Sequence, residues 1–286
     1  MVQPPIDHPL NLTTQTVLLY GSWALTLAVL AVSARMGFRE RTPFYSLMVL
    51  AVLVGAFVEP LYDEAFMLYF YSTKGMVTHF TAFGIPQPVW THSGYVVLYA
   101  APAIVAAREA WRGTLSQRRL WTITGITLLM SCAFEMFGIT AGAYTYWGPH
   151  TWRILNYPLV IGVLETAQVM IFAITASVLR TRVSHPTGLV GLFVLFPCTF
   201  LAANLGAGWP VIIAIHLDNP STLSTVIGTL LSILLATQLI RAAANLTQFA
   251  AQPTNAQPDS TTATAAVLSP TTPGSSSAAV TARGEK

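Results

Sequence analysis

Four carboxylic acids stand inside apolar stretches of this sequence, where a charge is costly. They are Glu59, Asp63, Glu135 and Glu165. An ionised side chain in the hydrocarbon of a bilayer costs at least ~2.5–3.5 kcal/mol, so acids there usually face a bundle interior and are functional candidates. When the apolar stretches are drawn as membrane helices, the four acids fall at similar depths. The sequence therefore predicts that they belong to one site.

The residue types around these acids suit chemistry that begins with a proton. A carboxylic acid in apolar surroundings stays protonated near neutrality and can act as a general acid toward an alkene or an epoxide. Aromatic faces can shelter the carbocation that results. Tyr144 and Tyr146 follow Glu135 within three turns, and we expect them just above it if the helix continues.

Further residues are candidates for the wall of a substrate pocket: Tyr62, Gln168, Asn204 and Trp147. Each has a structural alternative, because Asn and protonated Glu also hydrogen-bond neighbouring helices, and Trp is routine in interfacial belts. Gly138 and Gly142, four residues apart, form a small-xxx-small pattern that predicts the close approach of another helix.

The sequence gives no support for a metal or a cofactor. No pair of the four histidines in outer segments has the spacing of a helix-borne metal site: His79, His92, His150 and His216. Only Lys74 and Lys286 are lysines, so no span offers a Schiff-base lysine, which excludes a retinal protein. Phosphate loops and nucleophile elbows are also absent. We therefore predict a site that needs no cofactor and no metal.

The elements that position these residues are apolar helices. The chain is 53% hydrophobic and 9% charged, far from the composition of a soluble domain. Seven apolar blocks approach the ~20 residues of a membrane helix, although the third is short. They are residues 15–32, 43–70, 93–107, 120–141, 157–179, 188–215 and 223–240. This pattern predicts an all-α integral membrane bundle of about seven transmembrane helices.

The arginines predict the orientation of that bundle. They follow the first, third, fifth and seventh blocks, whereas the other loops carry only Lys74 and Arg153. By the positive-inside rule the N-terminus is outside or lumenal and the C-terminus is cytosolic. Residues 1–247 form the predicted membrane domain, and residues 248–286, rich in Ala, Thr, Ser and Pro, are predicted to be a disordered cytosolic tail. Nothing predicts nucleic-acid binding or an oligomeric state.

Two resemblances point to isoprenoid metabolism. "FEMFGITAGAYTYWG" followed by "ILNYPLVIGVLE", within residues 134–165, resembles the E-x-x-G, G-x-Y-x-Y and P-L elements of the carotenoid 1,2-hydratase family. That family's Pro-Phe-Gly before the first tyrosine is missing here. In size, span count and a glutamate in the second span, Glu59, the chain is also similar to integral-membrane terpene cyclases of the pyripyropene type. Both resemblances imply proton-initiated chemistry on a prenyl chain.

These observations predict a membrane enzyme that cyclises or hydrates an isoprenoid or terpenoid substrate. The general acid is expected to be Glu135 or Glu59, and Glu165 or Asp63 its partner or the closing base. The expected partners are a hydrophobic prenyl or terpenoid molecule and membrane lipid, in a multi-pass protein whose membrane is not predicted. A proton-coupled carrier is the alternative, since transporters also use intramembrane acids. A third interpretation is a structural or assembly protein in which the glutamates only form hydrogen bonds between helices.

Overall fold

A computed structural model describes residues 3–250, and the side chains of residues 3–246. The described part is mostly helical. Six of its helical stretches are long and apolar enough to cross a membrane, as expected of a multi-pass membrane protein: Leu12–Glu40, Phe44–Phe66, Gln117–Thr140, Leu159–Arg182, Pro186–Asn204 and Thr222–Leu246. The predicted tail, residues 248–286, lies outside the described residues, apart from the end of a helix that continues to Ala250.

The helices within the described residues have the following bounds: α1 Leu12–Glu40, α2 Phe44–Gly55, α3 Glu59–Phe66, α4 Trp90–Tyr95, α5 Ala101–Trp111, α6 Gln117–Thr140, α7 Leu159–Arg182, α8 Leu192–Asn204, α9 Trp209–Ile215 and α10 Thr222–Ala250. A 3-10 turn, Ala56–Val58, joins α2 to α3, and another, Pro186–Gly191, precedes α8. A π-helical turn, Val96–Ala100, joins α4 to α5. The third predicted span, residues 93–107, therefore falls within one continuous helical stretch.

The sixth predicted span is two helices. The prediction treated residues 188–215 as one block, but α8 ends at Asn204 and α9 begins at Trp209. A Cβ on Gly208 would clash with the Asn204 carbonyl oxygen, so glycine permits this tight connection. Pro210, near the start of α9, lacks the N–H that a continuous helix would need.

Helix α7 forms the centre of the bundle. Of the most apolar part of α7, 83% is buried inside the protein, whereas only 22% of the corresponding part of α1 is buried. A helix that is apolar all round and enclosed by neighbours has no lipid-facing stripe, so every polar residue on it must find a protein partner. Glu165 lies on this helix, one turn before Gln168.

Short strands cover one end of the bundle. They form three two-stranded antiparallel sheets: β1 Leu68–Phe70 with β4 Tyr144–Tyr146, β2 Thr78–Ala82 with β3 Ile85–Pro88, and β5 Arg153–Ile154 with β6 Tyr157–Pro158. In the first sheet, Leu68 pairs with Tyr146 and Phe70 with Tyr144. The strands thus join the end of α3 to the end of α6.

Helix α6 ends before the tyrosines, which corrects the expectation that it continues through them. Gly142 has a left-handed φ of +79°, the Gly142 N–H bonds the Ile139 carbonyl, and the Ala143 N–H bonds the Gly138 carbonyl. This is a Schellman cap. The small-xxx-small interpretation of Gly138 and Gly142 is also wrong: Gly142 caps the helix, and Gly138 makes room for the ring of Tyr144 rather than for a helix.

Candidate active site

A small chamber lies between α3, the α4–α5 stretch, α6, α7 and the first sheet. Its wall combines carboxyl groups with phenol rings. The glutamates are Glu59, Glu135 and Glu165, and the tyrosines are Tyr62, Tyr95, Tyr99, Tyr144 and Tyr146. Apolar and aromatic side chains, with Thr91, complete the wall, and none of the described residues that line it is Lys, Arg or His. Three of the four predicted acids therefore share one site.

Glu165 is the most heavily hydrogen-bonded of the three glutamates. The Tyr62 and Tyr99 hydroxyls donate to its Oε1, each at 3.2 Å. The Tyr157 hydroxyl donates to Oε2 at 3.2 Å, and the Ser131 hydroxyl donates to the same oxygen. Because an ionised carboxylate only accepts hydrogen bonds, four converging hydroxyl donors suit a Glu165 that carries the negative charge.

A chain of hydroxyls connects Glu165 to Glu135. The Tyr62 and Tyr146 hydroxyl oxygens are 2.9 Å apart, and the Tyr146 hydroxyl lies 3.2 Å from Glu135 Oε2. If Glu135 is protonated, it can donate to Tyr146, Tyr146 to Tyr62, and Tyr62 to Glu165, with one proton in each link. The two acids are therefore joined by a path along which a proton can pass.

Glu59 and Asp63 have different surroundings although they are one turn apart on α3. Glu59 faces the chamber and accepts a hydrogen bond from the Tyr95 hydroxyl. Asp63 is fully buried and accepts a hydrogen bond of 2.6 Å from the Gln87 side-chain nitrogen. Since it does not line the chamber, Asp63 is tied to β3 rather than placed beside the substrate space. The Asp63 side chain also interacts with that of Glu59, so its role as a partner acid of Glu59 stays a prediction.

Tyr144 and Tyr146 reach Glu135 from β4. Burial, and next the charge of Glu135, raises the pKa of both tyrosines well above the ordinary value, so their hydroxyls stay protonated. The Tyr144 hydroxyl is buried and has no hydrogen-bond partner of good geometry among the described residues. The Tyr144 ring stacks on Trp90 at 5.8 Å and meets Phe70 edge-on at 5.6 Å. Aromatic surface and a phenol hydroxyl beside Glu135 thus meet in one wall.

Arg153 and His150 hold the strand that carries these tyrosines. The Arg153 guanidinium donates to the Tyr146 carbonyl at 2.7 Å and to the Gly148 carbonyl. One ring nitrogen of His150 lies 2.9 Å from the Phe66 carbonyl oxygen, and burial lowers the pKa of His150 to about 3. His150 is therefore neutral near neutral pH and serves to position β4.

Tyr62 is the predicted pocket residue that lines the chamber. Gln168 and Asn204 are fully buried but outside its wall, and the Asn204 side-chain nitrogen donates to the Phe200 carbonyl of its own helix at 3.1 Å. Trp147 follows β4 and packs against the hydrophobic core, also outside the wall. Gln168 and Asn204 were selected as polar residues within helices and Trp147 as one of a group of aromatic residues, and the structure places all three outside the chamber wall.

The sequence analysis missed several residues of the site. The chamber residues Tyr95 and Tyr99 are four apart in the third helical stretch, a spacing that predicts one shared face and could have found them. Ser131 lies one turn before Glu135 on α6, so it shares a face with that glutamate. Gln87 carried no local signal, because only the strand β3 brings it to Asp63.

Within the described residues, no group of three or more His, Cys, Asp or Glu is arranged to hold a metal ion. Comparison of the chain with family models, with curated proteins and with solved structures finds no match.

Proposed function

We propose that this protein is a membrane enzyme that protonates an isoprenoid or terpenoid substrate and then cyclises or hydrates it. The observation that carries the proposal is the chamber, in which three buried glutamates and five tyrosines line a space without a basic residue. Proton-initiated reactions of alkenes need a protonated acid held at the double bond, an apolar site that excludes bulk water, and surfaces that stabilise a cation. The chamber supplies all three.

The roles follow from the hydrogen bonds. Glu165, with four hydroxyl donors, is the carboxylate that stabilises the developing cation and closes the reaction. Glu135 is hydrogen-bonded to Tyr146, faces the chamber and is the general acid. After the reaction, the proton taken up by Glu165 returns to Glu135 through Tyr62 and Tyr146. Glu59, bonded to Tyr95, is the alternative acid.

The size of the chamber limits the substrate. Its cavity volume is only ≈ 30 Å³, which is enough for one or two small groups. We therefore propose that the end group of a prenyl chain, rather than a whole carotenoid, enters the chamber after side chains move. The rest of the molecule stays in the lipid.

The seven-span topology belongs to the same proposal, with residues 90–111 as the third span, the N-terminus outside or lumenal and the C-terminus cytosolic. Arg108, from the end of α5, and Arg180, from the end of α7, both bind Glu40 at the end of α1, at 2.9 and 3.2 Å. The three helices thus end on the same side, as the first, third and fifth spans of such a bundle must. Accessibility of single cysteines at the two termini tests the orientation.

The enzyme proposal is tested by mass spectrometry of lipid extracts from an isoprenoid-producing host that expresses the chain or its Glu135→Gln variant. A product that depends on Glu135 supports it: unchanged mass means cyclisation or isomerisation, and a gain of one water means hydration. Glu59→Gln, measured in parallel, decides between the two acids. Full activity in both variants would refute proton donation by either glutamate.

The break between α8 and α9 supports a second candidate, a proton-coupled carrier. Transporters use discontinuous helices with freed backbone groups at their binding sites, and the Asn204 side-chain oxygen at this break is buried without a partner among the described residues. Residues 205–208 do not line the glutamate chamber, however, so this break and the acids do not form one site. Proton-dependent uptake by vesicles that contain the protein, together with unchanged prenyl lipids, would favour the carrier.

A further inference from the structure

A second cavity, distinct from the chamber, opens between α1 and α5. It is a groove with a volume of ≈ 400 Å³, and its wall is mostly apolar. On α1 it is lined by Leu25, Val29 and Val32, and on α5 by Ile104 and Val105. Leu25, Val32 and Val105 are 53%, 58% and 45% exposed, so the groove faces the surroundings of the bundle rather than its interior.

Hydrogen bonds and ion pairs close the groove at its two ends. At one end, Ser22 and Thr26 of α1 hydrogen-bond Ser93 of α4, at 2.7 and 3.0 Å. At the other, Glu40 binds Arg108 and Arg112 at 2.9 Å. Between these contacts the third helical stretch passes through a π-helical turn, Val96–Ala100, and the residue after Ala101 is a proline. Both features bend helices, which explains why the two helices separate there.

The dimensions of the groove fit one leaflet of a bilayer. Its α1 side runs from Leu25 to Met36, roughly 16 Å at about 1.5 Å per residue. Half of the ~30 Å hydrocarbon core is about 15 Å. The groove therefore matches the length that one acyl chain occupies, and its charged end lies at the depth of the headgroups.

The charges at that end favour an anionic headgroup. Three arginines share the single carboxylate of Glu40: Arg108, Arg112 and Arg180. Glu109, which also lines the groove, is already paired with Arg119 at 2.9 Å. The Arg108 and Arg112 side chains remain 38% and 43% exposed, so they can reach a phosphate while they hold Glu40. This cluster carries excess positive charge beside an apolar groove.

We infer that the groove binds an anionic phospholipid of the adjoining leaflet, with one acyl chain between α1 and α5 and the phosphate on Arg108 and Arg112. The inference does not depend on the chemistry in the chamber. The bound lipid fills the groove between α1 and α5, and so supports the third span.

The test uses the full chain in detergent and native mass spectrometry with phosphatidylglycerol or phosphatidylcholine of identical acyl chains. The expected result is one retained phosphatidylglycerol with clear preference over phosphatidylcholine. Arg112→Gln should weaken phosphatidylglycerol binding about fivefold and leave phosphatidylcholine unchanged. Ala28→Trp, which fills the groove, should abolish retention, whereas Ala31→Trp, at an exposed position of α1 outside it, should not.

Three results would overturn the inference. Equal retention of the two lipids by the unaltered protein would remove the role of the arginines. Equal retention of phosphatidylglycerol by Ala28→Trp and Ala31→Trp would place any bound lipid elsewhere on the bundle. Displacement of phosphatidylglycerol by a neutral prenyl lipid would instead assign the groove to an apolar ligand. If Arg112→Gln fails to fold, the comparison of Ala28→Trp with Ala31→Trp still tests the inference.

Discussion

Gly138→Ala should displace Tyr144 and reduce both stability and turnover. A Cβ at position 138 would lie 2.5 Å from the Tyr144 hydroxyl oxygen and 2.6 Å from Cζ, far inside van der Waals contact. The ring cannot simply swing away, because Tyr144 pairs with Phe70 across the sheet and stacks on Trp90. Overpacking of this kind costs about 1–3 kcal/mol.

Gly125→Ala is the matched control for this change. Gly125 lies on the same helix, and a Cβ there meets nothing within 4 Å. It should raise stability by up to about 1 kcal/mol, the difference in helix propensity between alanine and glycine. Because both glycines lie within α6, the gain in helix propensity is common to both variants, and they should differ by the overpacking cost of about 1–3 kcal/mol.

The assays are thermal unfolding in detergent and product formation. A shift of about 1 Å in a residue that positions substrate can reduce turnover by about 10²-fold, so Gly138→Ala should lose most of its product while Gly125→Ala keeps it. In a Tyr144→Ala background the stability loss from Gly138→Ala should disappear, since the clash is gone. Equal stability of the two glycine variants would refute the packing on which the site is built.

Three more predictions concern single groups. Glu165→Gln should lower the unfolding temperature and abolish turnover, because an amide cannot accept all four hydroxyl donors; unchanged unfolding would contradict this network. Tyr146→Phe should keep the fold but interrupt the path between Glu135 and Glu165. The steady-state rate should therefore fall more than the rate of the first turnover, which a single-turnover assay measures. Burial lowers the pKa of His150 to about 3, so the unfolded chain alone binds its proton below pH ~6.5. Stability should therefore fall by about 2–3 kcal/mol between pH 6.5 and 4.5, and His150→Gln should remove most of that slope.

The sequence was sufficient to find the acids because an intramembrane carboxyl group is rare and costly. Glu59, Glu135 and Glu165 could be assigned to one depth from helix lengths alone, and the structure brings them to one chamber. Asp63 satisfied the same criteria but is held by Gln87. That contact depends on a strand, β3, which no helical periodicity indicates.

The tyrosines were found for a partly wrong reason. Proximity in sequence suggested that Tyr144 and Tyr146 stand above Glu135 on a continued helix. They reach it instead because the cap at Gly142 ends the helix and β4 pairs with β1, which places Tyr146 opposite Leu68, 78 residues earlier in the chain. Pairing between distant segments is set by tertiary structure, so local sequence patterns could not specify it.

The division of hydrogen bonds among the glutamates separates a structural role from a chemical one. Glu165 joins α7 to α3, to α6, to the π-helical turn and to the segment before α7, so its loss damages assembly whether or not it acts in a reaction. Glu135 and Glu59 are each hydrogen-bonded to a tyrosine and face the chamber. If these glutamates only joined helices, Glu135→Gln would cost little, because an amide can still accept the Tyr146 hydrogen bond. A well-folded Glu135→Gln protein without product is therefore the result that distinguishes catalysis from helix association.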